Sequence, residues 1–218
     1  MGRLVCEILG SELAGTTDQG ELNALSYVDA QVVIDFSLPQ GTAELLRTVE
    51  LPLVVGTTGL DSATEAALRA HAERYPVVWA SNFSTGVNLL FELVRTASGA
   101  LPDYDLEIVE MHHRHKVDAP SGTARSLAQA ASEGRGSVVH GREGHTGERP
   151  PGEIGMHALR GGDVAGEHTV YLAGPGERLQ LGHLATSRRS FAEGAIRAAR
   201  WVVGKPPKLY SMREVLGL

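Results

Sequence analysis

Over the first 85 residues, short apolar runs alternate with amphipathic stretches, and the spacing predicts strands and helices in turn. Leu4 to Leu9 has helical periodicity, and Ser11 to Gly15 is expected to form a short strand. Gln31 to Phe36 is an apolar run followed by Ser37-Leu38-Pro39-Gln40, whose Ser37 and Gln40 have capping-box spacing ahead of a helix carrying Leu45 and Leu46. Leu53 to Val55 predicts the next strand, followed by Gly56-Thr57-Thr58-Gly59. Ser62 and Glu65 form a second capping-box pair for a helix ending near Tyr75, and Pro76 to Ala80 predicts a further strand that breaks at Ser81-Asn82-Phe83-Ser84. Repeated strand–loop–helix units of this kind predict a parallel α/β sheet.

After Ser84 the pattern changes. A helix is predicted from Gly86 to Ala97, a strand from Asp105 to Glu110, and a second helix from Ser121 to Ser132 ended by Gly134. Residues 141–152, rich in glycine, proline and charge, read as a long loop. Strand-like runs from Gly155 to Thr186 are broken by Gly161-Gly162-Asp163 and Gly174-Pro175-Gly176, which predicts an antiparallel meander. Ser190 and Glu193 have capping-box spacing for a last helix through Trp201, with Gly204 and Pro206 as stop signals.

Composition narrows the function classes. A formal charge of −6 over 218 residues argues against broad nucleic-acid or membrane-surface binding, so an anionic ligand has to be met by a local cluster of cations. With Cys6 as the only cysteine, no intrachain disulfide forms. The start has no apolar signal-peptide core, and no apolar stretch is long enough to span a bilayer, so the expected location is cytoplasmic.

Such a cation cluster lies at His112-His113-Arg114-His115-Lys116, just after a predicted strand end, where functional groups are usually displayed. Histidine can supply a proton near neutral pH, and lysine can hold developing negative charge. Ala119-Pro120 then leads into Ser121-Gly122-Thr123, the predicted start of a helix, whose free N–H groups make an anion site. These features suit a small carboxylate-bearing metabolite. Three other readings stay open: zinc at the His-x-x-His spacing of His112 and His115, ranked below substrate binding; a solvated basic loop; and a plain N-cap at Ser121.

The string from Glu110 to Ala124 resembles the signature of the dihydrodipicolinate reductase family. Val55 to Gly59, Ser81 to Ser84 with Gly86-Val87-Asn88, Arg142 to Arg149 and Gly162 to Thr169 are also similar to that family, in the same order along the chain. The resemblance implies an α/β fold: a Rossmann-like nucleotide-binding domain from residues 1–84 and 189–218, and an α+β substrate and oligomerisation domain from 85–188 with a mostly antiparallel sheet. It implies reduction of an imine-type dihydrodipicolinate to tetrahydrodipicolinate, in lysine and diaminopimelate biosynthesis, by hydride from NADH or NADPH. His112 would be the proton donor and Lys116 its charge-stabilising partner. His113, Lys116, Ser121, Gly122 and Thr123 would meet the substrate carboxylates, with Arg188 a further candidate from the hinge region. Gly56, Thr57 and Thr58, with Ala80, Ser81, Asn82 and Phe83, would contact nicotinamide and ribose at the carboxyl edge of the sheet. No metal is implied, and a homotetramer is.

Met1-Gly2-Arg3 matches only the tail of the family's glycine-rich phosphate loop, so the expectation is that a first strand and that loop belong upstream. Leu13 to Gln19 resembles the family's second strand, with Asp18 on the adenine-ribose hydroxyls, a hint of NADH over NADPH; a simple turn at Asp18 is the alternative. Two other functions compete: a sensor that keeps the substrate loop but binds nucleotide poorly, and another nicotinamide dehydrogenase of a different carboxylate. The length of the His112 to Thr123 segment favours the reductase over the second.

Overall fold

The computed structural model describes residues 1–17, 29–132 and 135–218. It divides into two compact units, Met1–Thr85 with Arg189–Leu218, and Gly86–Arg188.

In the first unit four short parallel strands, β1 (Val33–Asp35), β2 (Leu53–Val55), β3 (Val77–Trp79) and β9 (Leu209–Tyr210), lie side by side in that order. Leu53, Val54 and Val55 are all fully buried, which explains why this strand reads as an unbroken apolar run: both faces are covered. Leu53 and Val55 pack with Leu45 of α2 (Pro39–Thr48) and Leu68 of α3 (Ser62–Ala72). Val54 points the other way, into a cluster with Ala195, Ala198 and Val202 of α6 (Arg189–Val202). The first helix, α1 (Gly2–Leu9), sets Val5 against Ala192 and Ile196 of α6. Strand β9 and the helix α7 (Met212–Leu216), with its Ser211–Glu214 capping box, were not predicted from the pattern.

Several caps differ from expectation. Helix α2 begins at Pro39, whose fixed φ suits the first helical position, with Leu38 rather than Ser37 as its N-cap. The Ser37 N–H is instead taken by Asp35 Oδ1 at 2.8 Å. Helix α3 is capped one residue earlier than predicted, by Asp61 accepting the Thr64 N–H at 2.7 Å. Helix α6 starts at Arg189, so Ser190 lies inside it and Glu193 forms an i,i+4 ion pair with Arg189. Ser11 to Gly15 is not a strand: a 3-10 turn covers Gly10–Glu12, and Leu13 and Ala14 are its only apolar residues. Of the predicted second strand, Leu13 to Thr17 form no strand, and Asp18 and Gln19 fall outside the described residues.

In the second unit five strands form a mixed sheet: β4 (Asp105–His112), β5 (Val138–His140), β6 (Ile154–Arg160), β7 (Gly166–Gly174) and β8 (Glu177–Ala185), in the order β5-β6-β4-β7-β8. The predicted consecutive meander is corrected here. Only β7 and β8 make an antiparallel hairpin, turning through Pro175-Gly176 with Gly176 at φ 78°; β6 runs parallel to β4 and β5. The reason is two successive crossovers: helix α5 (Gly122–Ala131) carries the chain from β4 back to β5, and the loop of residues 141–152 carries it from β5 back to β6, so each strand re-enters parallel. Alternate residues of β4 are buried, and Leu106 and Ile108 join Leu127, Ile154, Val170 and Leu172 in the core beneath α5 and α4 (Thr85–Ala100). The loop of residues 141–152 is tied down by Arg149, which reaches Asp105 at 2.7 Å and Glu107 at 3.1 Å.

Candidate active site

Strand β4 ends on the residues singled out by sequence. Because side chains alternate along a strand, Glu110 and His112 share the core-facing side. Glu110 is fully buried and His112 nearly so. The Glu110 carboxylate has four donors around it: His112 Nδ1 at 2.5 Å, the Ser121 N–H at 3.0 Å, and the two terminal nitrogens of Arg160 at 2.9 and 2.8 Å. Burial acts to raise the Glu110 pKa, but the Arg160 fork, His112 and the Ser121 N–H outweigh it and hold the group below the ordinary carboxylate value. Glu110 is therefore an anion at neutral pH, and His112 must present Nδ1–H to it.

That fixes the chemistry of His112. Its Nε2 is the nitrogen free to gain or lose a proton, and it lies 3.1 Å from where a Cβ on Gly166 would stand. Burial lowers the His112 pKa; Glu110 opposes this, and the charges of Lys116 and Arg160 reinforce it, so the net shift is downward. Zinc ligation by His112 and His115 has no support among the described residues, where no group of three or more His, Cys, Asp or Glu side chains could hold a metal. His112 Nδ1 is already committed to Glu110.

After His112 the chain is held by backbone bonds to the loop of residues 161–164: His113 N–H to Val164 O at 2.8 Å and Gly161 N–H to His112 O at 3.0 Å. Arg188 is exposed and points its guanidinium at His113 Nε2, 3.4 Å away. His113 Nδ1 is a buried atom with no hydrogen-bond partner among the described residues. Lys116 pairs with Asp118 at 2.7 Å. Ser121 caps α5, its Oγ accepting the Ala124 N–H at 3.1 Å, and Gly122 and Thr123 form the first turn. The cis Ala119-Pro120 bond stands immediately before that cap. His112, His113, Lys116, Ser121, Gly122, Thr123 and Arg188 thus all belong to the second unit and flank one strand-to-helix connection.

Three residues of this centre were not picked out from sequence: Arg160, His168 and Glu110 in its role as a hub. The two-residue spacing of Glu110 and His112 on a predicted strand was the available signal for Glu110. Arg160 and His168 come from β6 and β7, and only strand pairing brings them in.

In the first unit, Gly56-Thr57-Thr58 and Ala80-Ser81-Asn82-Phe83 follow the carboxyl ends of β2 and β3. Asp35, buried at the end of β1, accepts from Thr42 Oγ1 at 2.6 Å and Thr57 Oγ1 at 3.2 Å and so braces the first loop. Gly56 sits against the Phe36 ring, with a Cβ there only 2.1 Å from it. Asn82 Oδ1 accepts the Ser84 N–H at 2.8 Å. Thr58 and Ser81 are exposed, whereas the Phe83 side chain is buried in the core against Phe36, so only its backbone can meet a ligand. These loops carry neutral hydroxyl, amide and backbone groups, whose chemistry fits a carboxamide and ribose hydroxyls.

Comparison with known proteins decides the family. The family model for the dihydrodipicolinate reductase N-terminus matches residues 1–83, and that for the C-terminus matches residues 86–216. The chain belongs to the dihydrodipicolinate reductase family. A 4-hydroxy-tetrahydrodipicolinate reductase of Thiobacillus denitrificans is 54% identical over 93% of this chain and 78% of its own length. One from Alkalilimnicola ehrlichii is 52% identical over 96% of the chain and 86% of its own. Among solved structures, dipicolinate-bound dihydrodipicolinate reductase from Paenisporosarcina sp. TG-14 aligns with TM-score 0.70 at 26% identity, over 94% of this chain and 83% of that one. Members of the dihydrodipicolinate reductase family are oxidoreductases that use NADH or NADPH, and their N-terminal part is the nucleotide-binding domain.

Proposed function

We propose that this chain reduces 4-hydroxy-tetrahydrodipicolinate, or its dehydrated form, to tetrahydrodipicolinate, with the residue roles that follow. The observation that carries these roles is the Glu110 carboxylate, shared between the imidazole of His112 and the N-terminus of α5. The substrate carboxylates would be bound by the first-turn N–H groups of Gly122 and Thr123, the hydroxyl of Ser121, the imidazole of His113 and the cations Lys116 and Arg188. Each is a donor, as a dianion requires, and the dipole of α5 adds to their field.

Gly56, Thr57, Thr58, Ala80, Ser81, Asn82 and the Phe83 backbone would hold the nicotinamide end of NADH or NADPH. The bound nicotinamide supplies the hydride. His112 supplies the balancing proton from Nε2, because Nδ1 is locked on Glu110. In the free protein the lowered His112 pKa leaves this imidazole mostly neutral at pH 7. A bound dicarboxylate brings negative charge close to it and raises its proton affinity, so the donor is charged when substrate is present. Lys116, shared with Asp118, steadies the negative charge that develops during reduction.

The family resemblance and the exposed Leu159, Leu179 and Leu184 of the second unit's sheet support assembly into a homotetramer. Among the described residues no helix is long and apolar enough to cross a membrane, which agrees with a cytoplasmic enzyme and a small dicarboxylate as its partner.

The test is oxidation of NADH and of NADPH by the purified chain with freshly generated substrate, repeated for His112→Ala and Lys116→Ala. Losses of about 100-fold or more in kcat are expected for both. Undiminished turnover in either variant would sink that residue's role. If the chain binds dipicolinate but neither nucleotide, the ligand-sensing reading gains over the reductase.

A further inference from the structure

His168 lies on β7 beside the site and has no part in the reaction described above. It is 4% exposed, its ring edge meets His112 with centroids 5.2 Å apart, and its Nε2 is 3.1 Å from Ser121 Oγ. Its other nitrogen, Nδ1, is buried with no partner among the described residues.

We propose that His168 is a positioning residue that turns the Ser121 hydroxyl into a fixed hydrogen-bond donor for a substrate carboxylate. The proposal rests on the reading of the α5 N-terminus as the carboxylate site. Two tautomers of a neutral His168 are conceivable. With the proton on Nδ1, a buried N–H would have no acceptor; with it on Nε2, Nδ1 carries only an unpaired lone pair. A buried N–H without an acceptor is the costlier of the two defects, and such orphans are rare. His168 therefore donates from Nε2 to Ser121 Oγ. Burial, followed by the charge of His112, pushes the His168 pKa down to about 4, so the ring stays neutral at working pH.

The consequence falls on Ser121. A hydroxyl oxygen has two lone pairs and one hydrogen. One lone pair accepts the Ala124 N–H at 3.1 Å, and the other accepts His168 Nε2–H. Both acceptor positions are filled, so the O–H hydrogen is confined to the remaining tetrahedral direction and Ser121 can act toward a ligand only as a donor. An unconstrained serine hydroxyl could rotate to accept. Here the site is set against neutral or donor groups and in favour of an anion, before any ligand arrives.

Two measurements test this. Nitrogen-15 NMR of histidine-labelled full-length protein should show His168 as the Nε2–H tautomer between pH 6 and 8; a resonance pattern of the Nδ1–H form would overturn the proposal. Titration with dipicolinate should then give a double-mutant cycle. Ser121→Ala and His168→Asn are each expected to weaken binding about 10-fold, and the double variant by about the same 10-fold rather than 100-fold. His168→Gln, whose amide nitrogen reaches the place of Nε2, should recover most of the affinity, whereas His168→Asn, whose amide nitrogen stands near Nδ1, should not. Additive losses in correctly folded variants, or no recovery by glutamine, would refute the positioning role while leaving the carboxylate site standing. Unchanged affinity in Ser121→Ala would overturn the carboxylate reading of Ser121 and the role of His168 with it.

Discussion

Glu110 decides more at this site than any residue that would touch substrate. It sets the tautomer of His112, pins the first N–H of the Ser121 cap, and is neutralised by the Arg160 fork. Replacing it with glutamine removes the charge that supports protonation of His112 and leaves the Arg160 guanidinium without its counter-ion. The pH limb of kcat that reports the protonated His112 should then move to lower pH in Glu110→Gln, since activity is lost as that imidazolium deprotonates. Turnover at pH 7 should fall, and stability with it, by about 3 kcal/mol as for other broken buried ion pairs. A limb that stays in place while activity falls would mean that Glu110 does not govern His112. Gly166 offers a separate probe. A methyl there would stand 3.1 Å from His112 Nε2, the nitrogen proposed to carry the transferred proton. Gly166→Ala should therefore lower kcat by roughly 10-fold, since His112 must tilt off its bond to Glu110 to make room, and should also lower stability, since the backbone there is held at φ 156°. Unaltered kcat in this variant would place the reacting proton elsewhere.

At the level of elements, what the chain revealed in advance depended on whether the signal was local. The strands at Leu53–Val55 and Val77–Trp79 and the helix after Ser121 were legible because continuous apolar runs and an N-cap are short-range features. The cluster from His112 to Thr123 was legible for the same reason: one strand-to-helix connection carries all of it. What escaped is nonlocal. Nothing in the run from Ile154 to Arg160 says that it pairs parallel to β4 rather than antiparallel to its successor, and that pairing is what delivers Arg160 to Glu110. The cap of α2 was misread because Pro39 and the buried Asp35 compete for the residues that capping-box spacing assigns to Ser37. Gly194 is another nonlocal case. It reads as a helix-weakening residue, yet a Cβ there would lie 1.8 Å from the Phe83 carbonyl oxygen. Only glycine lets α6 approach the loop after β3 so closely. Gly194→Ala should cost about 2–3 kcal/mol despite its better helix propensity, and should weaken nucleotide binding through the Ala80 to Phe83 loop. A thermal melt at or above the parent value would contradict this packing.

Across the whole molecule, the site's demand for neutral, buried histidines makes acid stability a property of the fold. His168 is held at about 4 against an ordinary 6.5, and burial also lowers His112, His183 and His71. When the folded pKa of a histidine is depressed, the unfolded chain binds more protons between the two values. Stability is then full above about pH 6.5 and declines as pH falls toward 4. For His168 alone the shift corresponds to roughly 3 kcal/mol. The paired carboxylates act lower down: buried Glu110 and half-buried Glu107 have depressed pKa values, so their contribution is lost as pH falls through the ordinary glutamate range and below it. Two successive losses are expected, a histidine phase between about pH 6.5 and 4 followed by a carboxylate phase. Urea unfolding at half-unit steps from pH 7.5 to 4.5 should show the first as a falling midpoint. His168→Gln, which cannot titrate, should flatten that fall by His168's share while keeping the donor to Ser121. A variant whose stability fell with pH as steeply as the parent's would show that His168 is not the neutral, buried group on which the anion-selective geometry of Ser121 depends.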